Sequence, residues 1–291
     1  HRYFVRTAEK LASVAAVAQT YEESEGGGSA QMLDLLASEA AAMFAYAEIC
    51  DLRGANGGEY REKGDRILEK IDRLWDASEG RYHFTKRHDG SLGHISHMAV
   101  ECVPYFNASR DDNKMGTTLD KLHQRGLMNA INVEVGSHLA EIFYKHHQPE
   151  RGEHWLRHYT SPELKRREYP EVSYGMVEGI VSGAMGIVPS ASQKRVTTMP
   201  QITGDNYLLI NNLPMLGGTV SVRHNDNTSS VFLNNTSSEV TWEAAFAGNY
   251  ESILVNGNSV KALKRTDAMG ETVSYAEVKL NKGEKACCKA E

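Results

Sequence analysis

Gly183-Ala184-Met185-Gly186-Ile187-Val188-Pro189 is where one sequence grammar gives way to another. Upstream, apolar residues recur at helical spacing: Ile67, Leu68, Ile71, Leu74 and Trp75 keep the 3.6-residue rhythm of a helix with one buried face. Downstream, short runs of β-branched and aromatic residues alternate with clusters of Asn, Gly, Asp and Ser, the pattern of strands and tight turns. The chain therefore reads as two domains, a helical-hairpin domain over residues 1–190 and a β-sheet domain over 191–291.

The helical part divides further. Residues 8–21 form an alanine-rich amphipathic run ending before Gly26-Gly27-Gly28, and Ser29 is placed to cap a helix over 30–52. Further helices are expected at 60–75, 98–106, 117–125, 132–146, 150–159 and 170–185, with a turn into a short β segment at 76–84. Pro170 suits a first helical position, where its missing N–H costs nothing. In the second part, strands are expected at 207–210, 219–224, 230–233, 240–246, 252–255, 260–263 and 272–280, and Asn256-Gly257 is a tight-turn signal. Strands at such regular short spacing argue for an antiparallel β-sandwich. Trp242, Phe246 and Tyr250 could suggest a sugar-binding face, but the alternation of Val240, Trp242 and Ala244 favours one inward strand face.

Composition excludes several classes. The 291 residues carry a net charge of −6, and the densest basic run, Lys165-Arg166-Arg167, is too short for nucleic-acid binding. No apolar run approaches the roughly 20 residues that a membrane-spanning helix needs. Cys50 and Cys102 read as buried thiols, Cys287-Cys288 as a strand end or a frayed tail, and none has metal-site spacing, so neither a metal nor another cofactor is expected. The chain starts at His1 with no methionine and no signal-peptide pattern, as though something preceded it. Asn107, Asn227, Asn234 and Asn235 each open a glycosylation tripeptide, which does not establish secretion. A soluble protein is expected, with a periplasmic or extracellular location favoured over a cytoplasmic one.

Glu101, Glu134 and Glu171 recur 33 and 37 residues apart, each after a short polar loop and before an apolar stretch. That spacing fits a helix-turn-helix unit, so stacked hairpins would bring carboxylates at equivalent helix ends into one place. Paired carboxyls are what glycosidic hydrolysis uses, close together for retention and about 6.5–9.5 Å apart for inversion. Glu171, at the second helical position, has its charged form favoured by the helix dipole and suits a base; the bland reading is a carboxylate that only complements that dipole. Glu134, between Val133 and Val135, and Glu101 suit a buried general acid, against the alternative of bonded structural glutamates. Tyr105, Tyr169, Tyr174, His97 and His138 lie close to these acids in sequence and are the candidate sugar-binding residues, Phe106 lying beside Tyr105. His123, His146, His147, His154 and His158 read as solvated outer-helix residues.

A helical-hairpin array followed by a C-terminal β-sandwich resembles the six-hairpin, (α/α)6-barrel glycoside hydrolases. Leu74-Trp75-Asp76-Ala77-Ser78-Glu79-Gly80-Arg81-Tyr82 is similar to the Trp-Asp-x-x-x-Gly-x-Tyr turn after outer helices of that group, and residues 183–189 resemble its exit from the last helix, with Pro200 and Asn212-Leu213-Pro214 leading into the sandwich. The resemblance implies an α/α toroid with the helices of Glu39, Glu101, Glu134 and Glu171 as its inner set. Fewer helices are legible here than a full barrel holds, so an incomplete barrel is expected, completed by an N-terminal segment or a second chain. The implied function is a glycoside hydrolase, or the C-terminal portion of one, cleaving an oligosaccharide or polysaccharide. Two alternatives stand beside it. One is a polysaccharide lyase acting on a uronate-containing glycan with His97, Tyr105, Arg166 and Arg167; the other is a non-catalytic carbohydrate-binding or scaffold fragment.

Overall fold

A computed structural model describes residues 29–93, 101–128, 131, 133–204, 206–267 and 269–291. The chain divides into two compact units, His1–Gly136 and Ser137–Glu291. The expected helix at 8–21 and residue His97 lie outside the described residues, as do residues 98–100 of the helix expected at 98–106.

In the first unit, β1 (Ser29–Met32) leads directly into α1 (Leu33–Leu52), followed by α2 (Gly58–Asp72). Ser29 therefore opens a strand, paired antiparallel with β4 (Thr85–Arg87), and does not cap the helix; Met32 holds the N-cap position without a side-chain bond. Between them lies the hairpin of β2 (Trp75–Asp76) and β3 (Arg81–Tyr82). The Trp-Asp-x-x-x-Gly-x-Tyr stretch has a clear physical logic there. Asp76 Oδ1 accepts bonds from Ser78 N at 2.8 Å, Ser78 Oγ at 2.6 Å and Glu79 N at 3.1 Å, and Gly80 supplies the positive φ that closes the turn. Those bonds, the Ser78 hydroxyl foremost, hold the Asp76 carboxyl down to about 2. Trp75 and Tyr82 pack edge to face across the hairpin. The unit ends with the short α3 (Cys102–Tyr105), the amphipathic α4 (Asp112–Leu127), capped by the Asp111 carboxylate, and the single turn α5 (Val133–Gly136). Cys102 is buried as expected, whereas Cys50 is only half-buried at the polar end of α1.

In the second unit, α6 (Leu139–Lys145), α7 (Pro149–Thr160) and α8 (Pro170–Glu178) precede the sheets, and α8 runs into a π-helix over Gly179–Ala184. The long helix expected over 132–146 is thus broken at Gly136-Ser137-His138, and the one expected over 170–185 is α-helical only to Glu178. Glycines explain the second change. Gly175, Gly179 and Gly183 are four residues apart and form a ridge with no side chain. A Cβ on Gly175 would lie 2.4 Å from Ser137 O, one on Gly179 3.1 Å from Ala140 Cβ, and one on Gly183 2.8 Å from Tyr144 Cδ2. The Tyr144 ring also lies where a Cβ on Gly152 of α7 would come within 2.7 Å, so it fills the space between two glycines. His146 is buried at the end of α6, and His147 Nε2 lies 2.6 Å from Asp267 Oδ2. His154 and His158 pack edge to face on Trp155. His146, His147 and His158 are therefore held in packing or pairing and are not the freely solvated residues expected, whereas His154 is exposed as expected.

Two sheets follow. One has the order β13-β14-β10-β6-β5 and the other β12-β11-β15-β9-β8-β7. In the first lie β5 (Val188–Ser190), β6 (Arg195–Thr198), β10 (Val240–Ala247), β13 (Leu263–Thr266) and β14 (Thr272–Leu280). The second holds β7 (Leu208–Met215), β8 (Gly218–Asp226), β9 (Ser229–Asn235), β11 (Ser252–Val255), β12 (Asn258–Lys261) and β15 (Lys285–Ala290). All their pairings are antiparallel except that of β6 with β10. β15 contains Cys287 and Cys288 and runs between β11 and β9, so the cysteine pair is interior strand and not tail. Asn256 and Gly257 both have positive φ, as a tight hairpin between β11 and β12 requires. Residues of both sheets share one hydrophobic core, in which Trp242 of β10 stacks on Phe232 of β9 at 5.3 Å. Trp242 is 0% exposed and its indole N–H donates to Thr198 Oγ1 at 2.9 Å, so it and Phe246 are core residues without a sugar-facing surface. His224, buried in β8, lies 3.0 Å from Met185 O and ties the π-helix exit to the sheet; burial pushes it down to about 4, so it stays neutral.

The glycine ridge makes a direct prediction. Gly175→Ala forces backbone apart and should destabilise the protein by roughly 1–3 kcal/mol, whereas Gly116→Ala in α4, where nothing lies within 4 Å, should stabilise it by about 0.5–1 kcal/mol. Urea denaturation of both variants checks the contrast; equal effects would remove the ridge as a packing determinant.

Candidate active site

The tight approach of α8 to α6 brings acidic side chains together in the second unit. Ser137 is buried against Gly175, which sets His138 at the N-cap of α6. Glu141 lies one turn further on, while Glu178 ends α8 next to Gly179 on the facing helix. The nearest donor atoms of His138, Glu141 and Glu178 all lie within 4.8 Å of one another, close enough for the three to share one cation as well as one proton.

Electrostatics distinguish the members. The Glu141 carboxyl is pushed up to about 7, first by burial, then by the negative charge of Glu178 and by a hydrogen bond between the two carboxyls. A carboxyl–carboxyl bond requires a proton, and the raised Glu141 is the group that carries it up to about pH 7. Glu141 Oε2 is buried without a hydrogen-bond partner among the described residues. Lys145, one turn beyond Glu141, acts in the opposite direction. His138 is pushed down by burial, against the charges of Glu178 and Glu171, which favour its protonated form.

Of the residues singled out from sequence, Glu171 and His138 come together here with Tyr174. Glu171 is exposed in the first turn of α8, with Pro170 in that same turn. Tyr174 is 73% exposed, and positions 171, 174 and 178 fall on one helix face. Tyr169 is half-buried at the N-cap, with the Arg166 guanidinium 4.3 Å from its ring centre. The remaining candidates belong to the first unit. Glu101 precedes α3, and burial, aided by the charge of Asp34, pushes its carboxyl up to about 8, with Oε2 buried and without a hydrogen-bond partner among the described residues. Glu134 is half-buried in α5, and Tyr105 packs edge to face on Phe106 at 4.9 Å. Glu39 is buried in α1. Sequence reasoning missed Glu141 and Glu178. The signal that could have found them is the four-residue spacing of Gly175, Gly179 and Gly183, which marks the packed side of α8 and hence which neighbouring positions meet another helix.

No family model matches the chain, and no curated protein does. Solved structures do. An α-L-rhamnosidase from Dictyoglumus thermophilum is similar in fold at TM-score 0.54 and 14% identity, over 88% of this chain and 31% of that one. One from Streptomyces avermitilis, complexed with L-rhamnose, scores 0.49 at 14% identity over 89% and 27%, and one from Aspergillus terreus 0.48 at 14% over 84% and 30%. The first of these carries the likeness. This chain thus shares its fold with a glycoside hydrolase, the class that the sequence resemblance implied, and it spans about three tenths of the length of these structures. No helix among the described residues is long and apolar enough to cross a membrane.

The shared proton gives a measurable signature. In carboxyl-carbon NMR Glu141 should titrate near pH 7. Glu178→Gln should lower the pKa of Glu141 while leaving part of its elevation, since burial is the larger cause. A Glu141 carboxyl that titrates in the ordinary carboxylate range in both forms would rule out the shared proton.

Proposed function

We propose that the chain is a glycoside hydrolase, or the C-terminal portion of one, that cleaves a neutral glycan by carboxylate acid–base catalysis. The observation that carries this reading is the convergence of Glu141, Glu178 and His138 beside Glu171, within a fold like that of an α-L-rhamnosidase. In this reading residues 1–190 are the α/α-toroid part, completed by a further segment or chain, and residues 191–291 the β-sandwich, supported by two sheets that share one core.

Roles follow from separation and protonation. The nearest carboxyl oxygens of Glu141 and Glu178 lie within 4.8 Å, closer than the two catalysts that flank a glycosidic bond. They act instead as one proton-holding unit, the general acid that protonates the departing oxygen. Glu171, two helical turns away on the same face of α8, is the opposing carboxylate. Seven residues of helix separate the Cα atoms of Glu171 and Glu178 by about 10.5 Å at 1.5 Å rise per residue, so side chains leaning toward each other would bring the carboxyls into the window of about 6.5–9.5 Å for a water-activating base and an inverting outcome. His138, whose ring feels the charges of both Glu178 and Glu171, is the group that positions them. Tyr174, exposed beside Glu171, offers a flat face for sugar C–H groups, with Tyr169 as the neighbouring aromatic. In the first unit, Glu101 and Glu134 are further candidate acids and Tyr105 and His97 further sugar contacts. L-Rhamnosides head the substrates to try, because the structures of similar fold include an α-L-rhamnosidase.

The test is turnover of neutral aryl glycosides, aryl α-L-rhamnosides first. Glu141→Gln, Glu178→Gln and Glu171→Gln should each lower kcat by about 10²-fold or more with unchanged melting temperature, the loss expected for a general acid or base. Wild-type rates in all three would remove this cluster from the chemistry. Products with an unsaturated, ultraviolet-absorbing end would show a lyase in place of a hydrolase.

A further inference from the structure

A cleft whose lining includes none of His138, Glu141, Glu171 and Glu178 lies within the unit of residues 137–291. Its volume is about 310 Å³, and it is bounded by α7, the π-helix and the segment leading into β7. Leu156 and Ile180 supply apolar lining, and Tyr207 lines the same cleft. Tyr207 is unusual. It is a large aromatic residue left 60% exposed, yet its ring is backed by the Arg223 guanidinium 5.0 Å from the ring centre. A backed ring is held in place and stays available for stacking at little cost in side-chain freedom.

The rim is polar and pre-ordered. Arg157 Nε donates to Glu153 Oε1 at 2.8 Å, and Nη2 of the same guanidinium also bonds to that oxygen, which fixes the pair at the edge of the cleft. Asn206 Nδ2 donates to Thr203 O at 2.7 Å, orienting the amide beside Tyr207. A flat aromatic face, an aliphatic wall, and fixed amide, carboxylate and guanidinium groups form the set that recognises a sugar ring: C–H groups on one face, hydroxyls around the edge. The volume falls at the small end of ligand pockets, suited to one sugar unit.

We infer that the Tyr207 cleft is a non-catalytic saccharide-binding site for a neutral sugar ring, with Tyr207 as stacking platform and Glu153, Arg157 and Asn206 as hydroxyl partners. The assignment deepens the glycoside-hydrolase reading by adding a second point of attachment for the glycan. Two sites on one unit would raise the effective concentration of a long substrate at the acidic cluster.

The experiment is titration of the isotopically labelled protein with L-rhamnose, L-arabinose, D-glucose and D-galactose, one at a time, followed by amide NMR. At least one sugar should give saturable shifts centred on residues 156, 180 and 207. Tyr207→Ala should weaken that binding by about tenfold, the loss expected for one aromatic stack, and Tyr207→Phe should retain it. Glu178→Gln should leave it unchanged. No saturable shift with any of the four sugars, or shifts that persist in Tyr207→Ala, would overturn the assignment. Tyr207-dependent binding in a protein without hydrolytic activity would uphold the site and sink only the proposed reaction.

Discussion

The close approach of two backbones is the constraint on which the second unit depends. Gly175, Gly179 and Gly183 let α8 and its π-helical continuation lie against Ser137, Ala140 and Tyr144, where any side chain would collide. Glu141 and Glu178 stand at that seam, so their carboxyls are driven together and that of Glu141 is desolvated at once. Desolvation and like charge both favour the protonated form, and the result is one proton held where two carboxylates would repel. Packing and acid–base character thus have a single cause.

The same seam accounts for the connection to the sheets. The π-helix ends at Ala184, Met185 and Ile187 enter the hydrophobic core, and the buried His224 lies against the Met185 carbonyl. Helices and strands of residues 137–291 therefore form one compact unit, although the sequence grammar changes only near residue 187. A composition shift marks where secondary structure changes type; it does not mark where packing ends.

Much of the architecture was legible, for identifiable reasons. The strands of β8 to β11 and β14 were readable because β-branched runs are bounded by Asn, Gly and Asp, and the Asn256-Gly257 turn because both residues tolerate positive φ. β5 and β6 were missed, since Val188–Ser190 and Arg195–Thr198 are too short to show alternation. β15 was missed because its buried positions are Ala286, Cys288 and Ala290, small residues that carry little periodic signal. The candidate site was half legible. Glu171 stood out through Pro170 at the helix start, and His138 through its nearness to Glu134 in sequence. Glu141 and Glu178 did not, because their chemistry arises from a contact between helices that neither helix announces alone. Glu101 stood out through its apolar sequence neighbours, and it is half-buried, with Oε2 shielded from solvent.

The central claim is that one proton sits between Glu141 and Glu178 at the seam built by the glycine ridge. Neutron diffraction from crystals grown slightly below neutral pH would locate it. The account predicts hydrogen density between the two carboxyl groups, with their oxygens in direct contact and no water between them. Two separately hydrated carboxylates, turned away from each other, would contradict it.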